Sequence, residues 1–445
     1  MSSSPQPLLS RPCGPLKGII TPPGDKSISH RAVMLGGIAE GETTVTGLLE
    51  GEDVLCTVAA LRAVGAEIKK TGAGTWHIKG GGLEALHASA GALDMGNSGT
   101  AARLLIGLLS GQPFTSTFTG DASLCKRPME RIMTPLKQMG ATFESTNGRL
   151  PLKVTGAAKP KPISYRLPVA SAQVKSAILL AGLSAEGITT VIEPAPTRDH
   201  SENMLRYFGA HIEIKKTPDG EVIALTGQPQ LKGRVIKVPA DPSSAAFPLV
   251  AALLHPGSQV MLKNVGLNPR RAGLIETLLE MGANIAFANK RDENGEPVAD
   301  LVIESSKLKG VTVPAARVPS MIDEYPVLAV AATCARGTTK MLGLAELRVK
   351  ESDRLALMAE GLKRCGVKVE IEGDDLIVHG TGKPPPGGAL IGTAMDHRIA
   401  MSFLVLGSVA VKPVRIDDGS FITTSFPGFV EVMSGLGMAI APDPA

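Results

Sequence analysis

Lys26 and Arg398 stand in the first turns of two strongly apolar segments, KSISHRAVMLGGIAEG and DHRIAMSFLVLGSVAV. A cation there opposes the positive end of the helix dipole unless an anion lies between them. The first turns of the sibling segments collect Asp25, Ser27, Asn97, Ser98, Thr100, Ser171, Gln173, Asp241, Ser243, Asp323, Asp396 and His397. Ser, Asn and Asp are expected there as N-caps, each worth about 1 kcal/mol, and capping accounts for Asp241, Ser243 and Asp396. It does not account for Lys26 or Arg398, and further cations flank the same segments at Arg31, Arg127, Arg198, Lys350 and Arg354. Helix N-termini with free N–H groups, joined by such cations, make an anion-binding surface. Arginine suits phosphate and carboxylate because its planar fork donates two parallel hydrogen bonds. The expected ligand is small and carries several negative groups.

The elements that must position these residues recur along the chain. A helix end, a glycine and a β-prone run appear six times, as LRAVGAEIKK, LKQMGATFES, LRYFGAHIEI, LLEMGANIAF, LKRCGVKVEI and MSGLGMAIAP. Gly65, Gly140, Gly209, Gly282, Gly366 and Gly437 occupy the place where a helix needs a left-handed residue before the chain turns into a strand. Out of phase with them run six segments that are apolar nearly all round, each a helix buried on most sides. The unit reads strand, inner helix, strand, outer helix, hairpin: βαβαββ. The sixth copy ends without the closing strand of the others, so an N-terminal strand is expected to complete it. LKGIIT reads as that first strand, and residues 1–24 as a short ragged tail running into structure. Two domains of three units each follow, one of residues 1–22 plus 241–445 and one of residues 23–240. They are joined by two similar Pro-rich crossings, LKGIITPPGDKS and LKGRVIKVPADPSS.

Bulk properties exclude several classes. A chain of 445 residues exceeds one core. No stretch approaches the ~18 uninterrupted apolar residues of a membrane span. A formal charge of +4 and 3% aromatic residues argue against nucleic acid. Five scattered cysteines form no CxxC pair and fit a reducing, cytoplasmic setting. GTGKPPP puts proline after the lysine of a would-be phosphate loop, and no HExxH or close histidine pair exists, so neither a metal nor another cofactor is expected.

The strings PGDKSISHR, GNSGT, the RP pair after GDASL, SAQVKSA, SMIDEYP, RVKESDR, DHRIAMSF and TSFP follow one another from about Pro23 to Pro427. In them the chain resembles the enolpyruvyl transferase family, in its shikimate-pathway branch. The resemblance implies an inside-out α/β barrel in each domain, with the inner helices aimed at an interdomain cleft that holds the active site. It implies transfer of the enolpyruvyl group of phosphoenolpyruvate to the 5-hydroxyl of shikimate 3-phosphate, as a step toward chorismate and the aromatic amino acids. Carried over by residue, Lys26, Ser27, Arg31, Ser171, Gln173, Arg198, Asp323 and Lys350 would hold shikimate 3-phosphate. Lys26, Asn97, Gly99, Thr100, Arg127, Gln173, Arg354 and Arg398 would hold phosphoenolpyruvate. Asp323 and Glu351 would be the proton-transferring carboxylates, with Lys26 a further proton carrier. A salt bridge within KESDR is the bland alternative for Glu351.

The departures carry information too. Many relatives place a lysine where Thr424 stands before the final SFP. The strings GDKS, SAQVK and RDHSE resemble the branch that tolerates the inhibitor glyphosate, which occupies the phosphoenolpyruvate pocket. That branch often reads Asn-Pro-Thr-Arg where this chain has Asn268, Pro269, Arg270 and Arg271, and its main determinant is alanine in place of Gly99. Partial tolerance is the expectation, and a monomer is usual in the family. The sister enzyme acting on UDP-N-acetylglucosamine uses a cysteine five residues before the arginine of the RP pair; Ala122 occupies that place, and Cys125 does not coincide. A cyclase of RNA 3′-phosphates would need a histidine near the C-terminus, and the last is His397. A silent repeat scaffold would be free to lose the cleft's cations and carboxylates, and all are present.

Overall fold

The computed structural model describes residues 5–443. The chain divides into two compact units: residues 24–238 with 293–296, and residues 1–23, 239–292 and 297–445. Among the described residues lie six four-stranded sheets and thirteen α-helices.

In the first unit the inner helices are α1 (Lys26–Ile38), α3 (Gly99–Ser110) and α5 (Ala172–Gly182), and the outer ones α2 (Glu52–Ala63), α4 (Glu130–Gln138) and α6 (His200–Phe208). In the second, α7 (Pro242–Leu254), α10 (Tyr325–Cys334) and α12 (His397–Val409) lie inside. Helices α8 (Gly273–Glu280), α11 (Arg354–Arg364) and α13 (Phe429–Leu436) are the outer ones, and the short α9 (Val318–Met321) precedes α10. The inner helices explain their composition: every residue of α12 from His397 to Ser408 is buried, and so is α7 from Ser243 to Leu254. Small residues let them meet. A Cβ added to Gly107 of α3 would lie 2.5 Å from Ala177 Cα of α5. Among the described residues none of the helices is long and apolar enough to cross a membrane.

Each sheet follows the repeat. In the second repeat of the chain, strand Leu93–Asp94 runs parallel to Thr115–Thr119, which pairs antiparallel with Leu152–Thr155 and, through it, Thr142–Ser145. The six repeat glycines all adopt positive φ, from +79° at Gly366 to +117° at Gly65. Gly209 shows what that requires. It caps α6 at φ 111°, its N–H bonding back to Leu205 and Arg206, and the nearest atom to an added Cβ is Gln230 O at 3.4 Å. Space is therefore not the obstacle. Gly209→Ala is expected to cost about 1–2 kcal/mol from the left-handed backbone alone, measured as a fall in the urea midpoint.

The amino-terminal reading needs correcting. The strand that completes the sixth sheet is Leu8–Arg11, paired antiparallel with Val414–Ile416 and with Ala439–Pro442. Residues 8–11 are thus structure rather than tail. LKGIIT forms Lys17–Ile20, which runs parallel to Gln259–Leu262 in the fourth repeat. The other crossing forms Val235–Lys237, parallel to Thr44–Thr46 in the first. Each crossing strand therefore precedes an inner helix in one compact unit and pairs in the other's sheet, which the likeness of the two crossings had hidden.

Candidate active site

Five of the six inner-helix N-termini are built alike, α10 being the exception. Asp25, Ser98, Ser171, Asp241 and Asp396 each accept a hydrogen bond from a backbone N–H of the helix they cap. Ser243 is not a cap; its hydroxyl accepts from Arg271 Nη2 at 2.7 Å and donates to Glu324.

In the unit of residues 24–238, the Lys26 ammonium in the first turn of α1 lies 3.0 Å from Asp53 of α2. The protein itself supplies an anion beside the misplaced cation. One turn on, Arg31 is buried: Nε donates to Ser201 Oγ at 2.7 Å, Nη2 to Ser176 Oγ at 2.9 Å and Nη1 to the Ser27 carbonyl at 2.9 Å. Burial pushes Arg31 down to about 10, against the pull of Glu202 and Asp25, so it stays charged at neutral pH. His30, between the two cations, is fully buried and bonds Thr57 through Nδ1 at 2.7 Å. Burial first, then Lys26 and Arg31, hold its pKa well below the ordinary value, so it adds no third charge.

The first turn of α3 carries a second cluster. Arg127 Nη2 donates to Asn97 Oδ1 at 2.7 Å and Nη1 to the Asn97 carbonyl at 3.3 Å. Asn97 Nδ2 in turn donates to Asp121 at 2.7 Å. Gln173 of α5 bridges Arg103 Nη1 (2.9 Å) and Thr100 Oγ1 (3.1 Å). Gly99 lies beneath, where an added Cβ would meet Arg103 Nη1 at 2.8 Å and Arg127 Nη1 at 3.2 Å. Sequence reasoning missed Asp53, Arg103 and Asp121. Asp53 reads as an ordinary acid in the first turn of a helix, and the other two matter only through partners distant in the chain.

The unit of residues 239–445 centres on Arg354, at 0% exposure. Its Nε donates to Asp396 Oδ2 at 2.8 Å, Nη1 to Asp323 at 3.2 Å, and Nη2 approaches Glu351 at 2.6 Å and Asp396 Oδ1 at 3.3 Å. Burial opposes the guanidinium's charge, but Asp396, Glu351 and Asp323 outweigh it and hold its pKa above the ordinary arginine value. Arg398, in the first turn of α12, places Nε 3.8 Å from Asp323 Oδ1 and donates from Nη1 to the Asp323 carbonyl at 3.4 Å. Asp323 and Glu351 are thus fixed on one guanidinium, and the salt bridge within KESDR does form. Lys350 ends the 3-10 turn Ala345–Val349 just before them. Thr424 donates to the Phe421 carbonyl at 2.7 Å and lies 3.5 Å from His397 Nδ1.

A repeated α/β unit whose buried helices carry an ammonium or guanidinium group in the first turn, beside a carboxylate, is a scaffold suited to small polyanions. Residues 10–433 match the family of EPSP synthase (3-phosphoshikimate 1-carboxyvinyltransferase). The chain is 62% identical to a 3-phosphoshikimate 1-carboxyvinyltransferase of Paramagnetospirillum magneticum, over 98% of this chain and 99% of that one. It is 59% identical to one of Methylobacterium sp. strain 4-46, over 99% of each chain. An EPSP synthase structure from Acinetobacter baumannii superimposes with a TM-score of 0.87 at 48% identity, covering 98% of this chain and 100% of that one. The chain belongs to the EPSP synthase family.

Proposed function

We propose that this chain transfers the enolpyruvyl group of phosphoenolpyruvate to the 5-hydroxyl of shikimate 3-phosphate and releases phosphate, a step in aromatic amino-acid biosynthesis. The observation that carries the activity is identity near 60% to 3-phosphoshikimate 1-carboxyvinyltransferases over essentially the whole chain. The residue roles are our assignment. Lys26, Ser27, Arg31, Ser171, Gln173, Arg198, Asp323 and Lys350 hold shikimate 3-phosphate. Lys26, Asn97, Gly99, Thr100, Arg127, Gln173, Arg354 and Arg398 hold phosphoenolpyruvate.

In the addition step the hydroxyl oxygen bonds to the central carbon of phosphoenolpyruvate, its proton passes to a base, and an acid protonates the methylene carbon. Elimination returns a proton from the new methyl group and expels phosphate. Asp323 takes the hydroxyl proton and Glu351 serves the methylene carbon. Their shared contact with Arg354 supports the pairing, because one guanidinium holds both carboxylates in fixed positions. Lys26, beside Asp53, is a further proton carrier.

Purified protein should release phosphate from phosphoenolpyruvate only when shikimate 3-phosphate is present. Release without it, or none with folding intact, would sink the reading. The reaction belongs in the cytoplasm and to a monomer, readings that the five unpaired cysteines and the usual state of the family support.

Glyphosate is the inhibitor we assign to the phosphoenolpyruvate pocket, with partial tolerance. The groups that the methyl added by Gly99→Ala would meet are the far ends of two flexible arginines, so the variant should fold normally. Its glyphosate inhibition constant should rise roughly tenfold or more, the scale of one misplaced methyl in a fitted pocket, with a smaller rise in KM for phosphoenolpyruvate. Equal rises in the two constants in an inhibition titration would contradict that placement.

A further inference from the structure

Lys175 stands in the first turn of the inner helix α5 and is 1% exposed. Its ammonium lies 2.8 Å from Glu193 Oε2 and 2.7 Å from Glu202 Oε1, both carboxylates also 1% exposed. Burial works against the ammonium, but Glu202 and Glu193 outweigh it and hold its pKa above the ordinary lysine value. Burial lifts that of Glu202, against the pull of Lys175. Three charges taken out of water are costly, and such groups often stabilise no more than apolar residues of the same volume. Their placement suggests what they do instead.

The three residues come from different segments, each of which carries or borders a proposed shikimate 3-phosphate ligand. Lys175 sits one turn beyond Ser171, its N–H bonding to the Ser171 carbonyl at 3.1 Å, and Gln173 lies between. Glu193 ends the strand Ile188–Glu193 and accepts from the Thr197 hydroxyl, which ties down the turn that leads to Arg198. Glu202 stands in the first turn of α6 beside Ser201. Ser201 and Ser176 are the hydroxyls that hold Arg31, and they lie 2.7 Å from each other. One ammonium therefore fixes the helix start, the turn and the second helix whose side chains surround the proposed phosphate ligands. Glu202 Oε2 is buried with no side-chain partner among the described residues.

We propose that Lys175, Glu193 and Glu202 are positioning residues for shikimate 3-phosphate, acting through Ser171, Arg198 and the Arg31 cradle without touching the ligand. The inference rests on the ligand assignment above. The test compares Lys175→Met with the charge-free triple variant Lys175→Met/Glu193→Gln/Glu202→Leu, measuring KM for each substrate, kcat, and the dissociation constant for shikimate 3-phosphate by calorimetry. K175M should raise the KM and dissociation constant for shikimate 3-phosphate at least tenfold, leave the KM for phosphoenolpyruvate within about twofold, and melt at lower temperature. The triple variant should recover the melting temperature and keep the weakened binding. Lys175→Arg, which restores the cation, should recover part of the affinity.

A triple variant with wild-type stability and wild-type KM for shikimate 3-phosphate would overturn the proposal, as would equal weakening of both substrates. Should K175M fail to fold, the triple variant decides alone. If the unaltered chain does not bind shikimate 3-phosphate, the ligand assignment itself fails, and the positioning role with it.

Discussion

Glu351→Gln is expected to lower kcat by roughly two to four orders of magnitude, the usual worth of a positioned proton carrier, with only a small change in either KM. The amide keeps the shape of the carboxyl group and can still reach Arg354, 2.6 Å away in the native protein. What it cannot do is exchange a proton with the methylene carbon. The competing account treats Glu351 as a partner in a partly exposed ion pair, its side chain 25% exposed. Ion pairs that open to water contribute about 0–1 kcal/mol, so on that account the variant would lose a little stability and keep its turnover. Steady-state phosphate release and a urea titration on the same preparation separate the two. Unchanged kcat would return Glu351 to a structural role and leave Asp323 to be tested as the principal acid–base group.

Asp396→Ala is expected to cost about 3–5 kcal/mol of folding stability, the penalty for removing one partner of a buried charge pair. Asp396 accepts two hydrogen bonds from Arg354, one from Ser352 Oγ at 2.8 Å and one from the Arg398 N–H at 2.9 Å. Removing it strips a cap from α12 and leaves a fully buried guanidinium short of its bidentate partner. The pH dependence has a definite sign. Burial alone would raise the Asp396 pKa, but Arg354 outweighs it and holds the group below the ordinary carboxylate value. A depressed acid contributes stability that is fully present above its unfolded pKa of about 3.9 and is lost as pH falls through the lower, folded value. The gap in urea midpoint between the native chain and Asp396→Ala should therefore be constant near neutrality and narrow only in strong acid. A gap that narrowed as pH rose from 5 to 8 would be the wrong sign.

Much of the architecture was legible because it repeats. A glycine after each outer helix and a nearly all-apolar inner helix are local signals, and six copies make a chance match untenable. All six glycines take the left-handed backbone that a Cβ disfavours. The strand Leu8–Arg11 was not legible. It is four residues long, its sequence LLSR alternates weakly, and its partners Val414–Ile416 and Ala439–Pro442 stand at the other end of the chain.

The site divides the same way. Cations misplaced at helix starts pointed to anions from residue type and position alone. What the residues could not disclose was how they are held. A salt bridge within KESDR is legible as an alternative, but its burial is not: Arg354 is among the most buried side chains. SAQVKSA gives no sign that Lys175 faces two carboxylates rather than water. Burial of a charge depends on partners from other segments, and one sequence carries no direct record of such pairings.

The strand Leu8–Arg11 also brings the two ends of the chain together, with the Asp443 N–H bonding to the Pro7 carbonyl at 3.0 Å. Linking those ends and reopening the chain between Val238 and Pro239, where one compact unit passes into the other, would yield a circular permutant. Permutation is tolerated best where new ends fall at exposed sites, whereas Val238 and Pro239 are both buried, so this permutant should fold with a loss of stability. Residues 239–445, the linker and residues 1–23 would then run continuously through one unit, and residues 24–238 through the other, with Glu293–Glu296 the exception. A single covalent crossing would replace two. The native order instead obliges Leu8–Arg11 to wait for partners made much later, Val414–Ile416 and Ala439–Pro442, so a nascent chain can assemble its middle before this strand finds its sheet.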